Sequence, residues 1–461
     1  MGRIFGTDGV RGVANTEISC KLAMDVARAA AMVVTERIGR KPRFLIGMDT
    51  RISSDMLCAA MSAGLCSVGA DVVQVGVVPT PAVAYLVKSR EDLDAGIMLS
   101  ASHNPYEYNG IKIFGSEGFK LTDEQEFEIE EIVLDHVKPY SICWGGDLGR
   151  ITRDDSLLQC YIDHIASTVQ GDLSGLKIAV DCSNGSASAT AAQIFQKLHG
   201  DVTLFHREPN GTNINLNCGS THIEDLAKRV KEGGYDVGVA FDGDADRCIM
   251  VDEQGQVVDG DRIIAVLSKH MQEQGTLAQN SAVVTVMSNM GFFKFCEKNG
   301  ISSQITKVGD RYLLERMLQC GYNIGGEQSG HVILLDHMPT GDGQLTAVQM
   351  LQTLKASGQT MSALASVMEV YPQVNLSVRA DNVMKSRLGV DEGLNLVIQE
   401  QERLLGDEGR VLVRASGTEP VIRVMVEGKD QELIGACAQK IAQTIEERLA
   451  NNESCKQLEE F

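Results

Sequence analysis

What most constrains this chain is a recurring alternation of short apolar runs with stretches of helical spacing. Leu22 to Ile38 reads as an alanine-rich helix, Phe44 to Met48 as a strand, and Asp71 to Val78 as a strand closed by Pro79-Thr80-Pro81, where Pro81 opens another helix. Ile97 to Leu99 continues the series as a buried strand. Leu176 to Asp181, Tyr235 to Phe241 and Ala282 to Met287 repeat it, with helices expected over Ala187 to Leu198 and Arg262 to Gln274. Strands separated by helices need crossover connections, so the expected fold is α/β, with mixed, mostly parallel sheets covered by helices. An acidic helix around Glu124 to Val137 and a polar stretch near Ser141 to Asp155 look like a boundary. After Tyr371-Pro372 the texture changes. Strand-like pieces at Gln373 to Val378, Arg410 to Val413 and Val421 to Val426 precede a closing helix to about Leu449. The expected division is therefore α/β domains at 1–155, 156–257 and 258–370, an α+β domain at 371–450 and a polar tail at 451–461. No residue-level repeat accompanies the three α/β units.

Charge narrows the partners. A net charge of −20 and a pI near 4.9 oppose nucleic acid and anionic membranes, which need a basic field. A small anionic substrate stays possible if basic residues are gathered locally. The 12 cysteines run from Cys20 to Cys455 without a CxxC pair, which points to reduced thiols rather than a disulfide framework or a zinc site. The start, Met1 to Asp8, has no apolar signal-peptide core. The longest apolar region, Ala63 to Val87, is broken by Asp71, Pro79 and Pro81. A cytoplasmic location and no membrane span are expected.

Four segments carry chemistry. Ser100-Ala101-Ser102-His103-Asn104-Pro105 ends a buried apolar run, and Asn-Pro blocks a smooth passage into helix. Ser102 thus stands at a strand end, where α/β folds usually keep their sites. No Asp or Glu adjoins it in the loop, so a phosphate there is expected to meet no neighbouring carboxylate. Asp242-Gly243-Asp244-Ala245-Asp246-Arg247 follows a strand and sets three hard oxygen donors on alternate residues, a pattern suited to Mg²⁺. An EF-hand is rejected although Glu253 falls at its twelfth position. Its sixth position is Arg247 rather than Gly, and a strand precedes it.

Gly326-Glu327-Gln328-Ser329-Gly330-His331 offers an acceptor and a hydroxyl between glycines, as sugar hydroxyls require. Arg414-Ala415-Ser416-Gly417-Thr418, with Arg423 beyond, combines guanidinium, hydroxyls and an open backbone, as phosphate requires. Arg11 sits in the glycine-punctuated loop Phe5 to Gly12. Lys112 follows Asn109-Gly110 and could neutralise a transferring phosphoryl group. His331 is a proton carrier or a structural histidine. No GxGxxG, Walker loop or GxSxG elbow is present.

These four motifs, in this order, resemble those of the α-D-phosphohexomutases over nearly the whole chain. Within that family, Phe5 to Gly12, Cys218-Gly219-Ser220-Thr221-His222 and Gln328 are most like the bacterial members that act on glucosamine phosphates. The resemblance implies three related α/β domains and a C-terminal α+β domain around a central cleft. It implies a phosphoserine at Ser102, and one Mg²⁺ held by Asp242, Asp244, Asp246 and a phosphoserine oxygen. The implied reaction passes the Ser102 phosphate to glucosamine 6-phosphate. The hexosamine 1,6-bisphosphate, intermediate and activator, turns over and returns its other phosphate, leaving glucosamine 1-phosphate for UDP-N-acetylglucosamine and cell-wall precursor synthesis. Arg414, Ser416, Gly417, Thr418 and Arg423 are implied to hold the non-reacting phosphate, and Glu327 and Ser329 the sugar hydroxyls. His103, Lys112, Arg11, Arg247 and His331 are implied to line the reaction centre, with Lys112 and Arg11 handling protons.

Rival readings are a mutase of the same family acting on glucose or mannose phosphates, a sugar-phosphate phosphatase, and an inactive sensor. The intact serine and aspartates oppose the sensor. The partners expected are small sugar phosphates, with neither nucleic acid nor membrane, and a homodimer is compatible.

Overall fold

The computed structural model describes residues 2–6, 8–416 and 420–449. The chain forms two compact units, Met1–Ser288 with Asn299–Val367, and Asn289–Lys298 with Met368–Phe461.

Three sheets of the larger unit share one plan. A first strand lies between a second and a third parallel to it, and a fourth runs antiparallel along the third. The four are Arg43–Met48, Asp71–Val77, Ala95–Leu99 and Tyr108–Gly115 in the first sheet. They are Lys177–Asp181, Asp201–Phe205, Val237–Phe241 and Cys248–Asp252 in the second. They are Ser281–Thr285, Ser302–Thr306, Ile324–Gly326 and Val332–Leu334 in the third. The third strands Ala95–Leu99 and Val237–Phe241 are buried throughout. That is why they read as unbroken apolar runs rather than as alternating ones.

Local chemistry sets the boundaries. The helix Cys20–Ile38 starts where the Ser19 side chain accepts the Leu22 N–H and stops at Gly39 in the left-handed region. Its alanine face packs with Leu57, Met61 and Leu65 of the helix Ile52–Ser67 into the first core, beneath Phe44, Ile46, Ile97 and Leu99.

The structure corrects the sequence expectations in four places. Phe5 to Gly12 is not a loop: Phe5–Gly6 and Gly9–Val13 form a hairpin whose second strand pairs with Tyr108–Gly115. Pairing to an established strand outweighs the local preference of its glycines. The acidic helix ends at Glu130, and Glu131–Asp135 widens into a π turn closed by His136 in the left-handed region. Ser186–Ala189 is a 3₁₀ turn, and the α-helix covers Ala191–Lys197 only. The polar stretch from Ser141 holds an edge strand, Ile151–Arg153, on Asp71–Val77.

The smaller unit is an antiparallel sheet in the order Gln373–Arg379, Val421–Gly428, Gly409–Ala415. Leu394 of the helix Glu392–Leu405, and Ile434 and Ile441 of the helix Gln431–Leu449, close its core over Ile422, Val424 and Val426. The helix Met290–Asn299 belongs here too, its Met290 N–H donating to Glu427 Oε1 at 2.8 Å.

Candidate active site

The shared plan puts three of the four motifs in equivalent places. Ser102 lies between the third and fourth strands of the first sheet, Asp242, Asp244 and Asp246 between those of the second, and Glu327 and His331 between those of the third. Each loop leaves the carboxyl end of a parallel strand, the side of such sheets at which ligands bind.

Ser102 is buried and in the left-handed region at φ 52°. Such a backbone persists in a serine only where its surroundings hold it. They do. Its N–H donates to Ser100 Oγ at 3.0 Å, and its carbonyl accepts from Arg51 Nη2 and Asn215 Nδ2, each at 2.9 Å. Arg51 is itself buried. It pairs with Asp49 at 2.8 Å and also donates to the carbonyls of Asn104, Tyr108 and Pro105, so one guanidinium staples the whole loop. The Ser102 hydroxyl donates to Asp242 Oδ2 at 2.6 Å and lies 3.3 Å from His103 Nδ1. The expectation that no carboxylate neighbours Ser102 is thus corrected. None adjoins it in sequence, but the second sheet delivers one in space. Gly243 permits the approach, since a Cβ there would lie 2.5 Å from the Ser102 carbonyl oxygen.

Asp242, Asp244 and Asp246 are buried and offer oxygens within 4.8 Å of one another. Glu253, which made the EF-hand comparison tempting, instead accepts the Ser362 N–H at 3.0 Å. Asp244 is gripped from the first sheet's side by Thr80 Oγ1 at 2.6 Å and Lys112 Nζ at 2.9 Å, and Lys112 also lies 3.5 Å from Asp246 and 3.1 Å from Asp8. Burial, then the charges of Asp246 and Asp244, push the Asp242 carboxyl well above its usual range. Asp246 is held well below that range by Lys112, His331 and Arg247, against a burial that would raise it. Crowded carboxylates of this kind suit a hard divalent cation. The buried Oδ1 atoms of Asp244 and Asp246 have no hydrogen-bond partner among the described residues, so the donor set fits Mg²⁺.

The surrounding basic groups divide by charge. Burial, then Arg247 and Arg11, lower His103 to about 4, so its ring is neutral near pH 7. Burial would lower Lys112 too, but Asp244, Asp8 and Asp246 raise it well above the usual lysine value, and it stays cationic. Arg11 pairs with Asp8 at 2.8 Å, and Arg247 Nε lies 3.7 Å from Asp246. His331 is buried, 3.7 Å from Asp246 and 3.9 Å from Asp310. Burial works against its charge, but Asp246 and Asp310 raise it. Lys120 bridges Asp8 and Asp310, the latter at 2.6 Å, and so links the first hairpin to the third sheet. Glu327 is half-buried and accepts the Gly309 N–H at 3.1 Å, with the exposed Ser329 hydroxyl 3.5 Å from its other oxygen.

The fourth motif lies in the smaller unit. Arg414 and Arg423 face each other across paired strands, and the half-buried Arg414 is lowered by burial and by Arg423. Like charges placed opposite each other destabilise a sheet and favour an anion between them. Ser416 is buried, its N–H donating to the Val421 carbonyl at 2.9 Å. Gly417 and Thr418 lie outside the described residues.

The larger unit therefore brings Ser102, His103, Lys112, Arg11, the three aspartates, Arg247 and His331 into one network. Arg51, Asn215, Thr80, Asp8, Lys120 and Asp310 share that network and were not singled out from sequence. Arg51 alone had a signal, Asp49-Thr50-Arg51 directly after a strand. Residues such as Asn215 and Lys120 act across long sequence separations that no local pattern reports.

Family models for the phosphoglucomutase/phosphomannomutase alpha/beta/alpha domains I, II and III match residues 2–138, 159–255 and 259–371, and the C-terminal domain model matches 358–444. A phosphoglucosamine mutase of Acetivibrio thermocellus is 51% identical over 97% of this chain and 100% of its own length. That of Clostridium novyi is 50% identical over 97% and 99%. In fold alone, a phosphoglucomutase/phosphomannomutase family protein of Burkholderia thailandensis matches with a TM-score of 0.82 at 24% identity, covering 97% of this chain and 98% of its own. The Aspergillus fumigatus N-acetylphosphoglucosamine mutase, solved with GlcNAc-6P and magnesium, matches with a TM-score of 0.68 at 16% identity, covering 96% and 95%. With all four domain models matched in order along its length, this chain belongs to the phosphoglucomutase/phosphomannomutase family, the α-D-phosphohexomutases.

Proposed function

We propose that this protein is a phosphoglucosamine mutase, interconverting glucosamine 6-phosphate and glucosamine 1-phosphate through a phosphoserine at Ser102. The observation that carries the mechanism is the buried Ser102 hydroxyl, 2.6 Å from Asp242 at the edge of the carboxylate cluster. In the forward direction the sugar's 1-hydroxyl oxygen bonds to phosphorus as the Ser102 Oγ–phosphorus bond breaks. The 1-hydroxyl gives up its proton and Ser102 Oγ takes one up as its bond to phosphorus breaks. In the return transfer Ser102 Oγ gives up that proton as it bonds to the second phosphorus, and the sugar's 6-oxygen gains one. Lys112 and Arg11 handle these protons, Lys112 entering as the cationic, proton-bearing partner. The hexosamine 1,6-bisphosphate formed midway must turn around before returning its 6-phosphate to Ser102, and added bisphosphate primes an unphosphorylated enzyme.

Asp242, Asp244, Asp246 and a phosphoserine oxygen would hold one Mg²⁺, which when bound draws charge from the moving phosphoryl group. His103, Arg247 and His331 line the reacting centre, and Glu327 and Ser329 take the sugar hydroxyls. Arg414, Ser416, Gly417, Thr418 and Arg423 take the non-reacting phosphate. Domain limits of 155, 257 and 370, a cytoplasmic location and a homodimer complete the reading. Among the described residues no helix is long and apolar enough to cross a membrane. The phosphatase alternative has no support among the relatives.

The test is interconversion of the 1- and 6-phosphates of glucosamine, glucose and mannose, with Mg²⁺ and a trace of hexose 1,6-bisphosphate. The highest kcat/KM is expected for glucosamine phosphate. Preference for glucose or mannose phosphate would keep the mechanism and overturn the substrate. Free phosphate without interconversion would overturn the mutase reading.

A further inference from the structure

Cys218 belongs to a motif that the reaction above does not use. It is fully buried at the end of the loop from Asn210, and it does not stand alone. Asp181 and His206 close the first and second strands of the second sheet, Lys177–Asp181 and Asp201–Phe205, whose parallel register brings their carboxyl ends side by side. One carboxylate oxygen of Asp181, one ring nitrogen of His206 and the Cys218 sulfur all lie within 4.8 Å of one another. His206 Nδ1 is 3.1 Å from Asp181 Oδ2, yet this buried nitrogen makes no hydrogen bond of acceptable geometry among the described residues. A tetrahedral ion with ordinary zinc bond lengths needs donors about 3.5 Å apart, so little movement would close the set.

Each donor is also held from behind, as metal ligands are. Asp181 accepts the Ser183 and Gly219 N–H groups at 2.8 and 2.9 Å. Asn184 Nδ2 points at the Cys218 sulfur from 3.9 Å. His206 Nε2 faces Asp225 Oδ2 at 3.6 Å, and an ion at Nδ1 would displace any proton that nitrogen shares with Asp181. A disulfide framework or a paired-cysteine zinc motif would have been visible in the sequence. A single cysteine joined by His and Asp from other strand ends is not.

We propose that Asp181, His206 and Cys218 form a second cation site, distinct from the Asp242 cluster, that takes a thiophilic transition ion such as Zn²⁺. The sulfur–proton bond breaks on binding, the proton goes to solvent, and the thiolate pair bonds to the ion. No electron is transferred. His206 is the only partly exposed side chain of the three, at 26%, so a fourth ligand would come from its side. The role is structural. Ser220 N–H donates to the Phe241 carbonyl at 2.9 Å, next to Asp242, and Asn215 of the same loop holds the Ser102 carbonyl. An ion that pins Cys218 therefore braces the segment on which both loops lean.

The test titrates Co²⁺ into chelator-stripped full-length protein in excess Mg²⁺, which keeps the oxygen cluster occupied. A thiolate-to-Co²⁺ charge-transfer band saturating at one equivalent is expected, together with a rise in Tm on adding Zn²⁺. Cys218→Ser and His206→Gln should each abolish the band and the Tm rise, and Asp225→Asn should weaken Co²⁺ binding about tenfold. Two substitutions guard against one that misfolds, with folding checked by circular dichroism. No band in the native protein, or a band that survives Cys218→Ser, would overturn the proposal.

Discussion

Two clusters crown the second sheet, and they differ in kind. The Asp242 cluster is all oxygen, lies on one short loop, and is packed with cations: Lys112 at 2.9 Å from Asp244 and Arg247 at 3.7 Å from Asp246. The Asp181 cluster mixes oxygen, nitrogen and sulfur from three separate segments, and its outward neighbour is a carboxylate, Asp225. The first concentrates negative charge where phosphate chemistry needs a hard cation, and its neighbouring cations suit an arriving phosphoryl group. The second backs its mixed ligands with N–H groups that donate to Asp181 and Cys218 and a carboxylate beside His206, as a structural ion needs. The difference teaches that three acidic or metal-competent side chains do not define a site's task. What lies just behind and beside them does.

The largest expected effect breaks the oxygen side of this comparison. Ser102→Ala should cost on the order of 10²-fold or more in turnover, since it removes the covalent carrier; near-normal kcat in the mutase assay would sink the mechanism. Next comes the clamp that ties Asp8, and through it Lys112, to Asp310. Lys120→Ala should lower kcat/KM by roughly tenfold, equivalent to about 1.4 kcal/mol. Unchanged kinetics would show that the Lys112 network does not depend on it.

A smaller effect comes from behind the oxygen cluster. Asp342 caps the helix Gly343–Ser357 and accepts from Tyr161 at 2.9 Å, and the next residue's N–H holds the Ala245 carbonyl. Burial raises Asp342 to about 7, with Asp246 adding to the rise against the bonds from Leu345 and Tyr161. The folded state therefore keeps a proton that the unfolded chain has lost above about pH 4. Stability from this group falls as pH rises from about 4 to about 7, by roughly 1 kcal/mol per pH unit at the steepest, and is level above that. Asp342→Asn should flatten this part of the denaturation profile, and an unchanged slope would refute the assignment. Smallest of all, Cys218→Ser should leave Mg²⁺-supported mutase turnover within about twofold, because the sulfur touches no reacting group. A loss as large as that of Ser102→Ala would merge the two clusters into one site and break the comparison.

Much of this was legible beforehand. Alternating apolar runs and helical stretches announced the α/β fold, because a buried parallel strand must be apolar on both faces. The Ser102 loop, the aspartates, the sugar loop and the arginine strand were each visible as local chemistry. Where sequence reading failed, the cause was pairing at a distance. The Phe5 to Gly12 segment became strand because Tyr108–Gly115 supplied partners for it. The acidic helix ended early, Glu130 bending inward so that its Oε1 accepts the Ile4 and Phe5 N–H groups at 2.7 and 2.8 Å.

By itself, then, the sequence determined the class of fold, the order of the motifs and the kind of chemistry each could perform, since these rest on periodicity and on functional groups a few residues apart. Only the tertiary structure decided which groups meet. Ser102 and Asp242 are 140 residues apart in the chain and 2.6 Å apart in space. Likewise, Cys218 and His206 reach Asp181 only because two parallel strands end side by side. Contacts between strand ends depend on how sheets stack and cross over, which no local stretch of residues encodes.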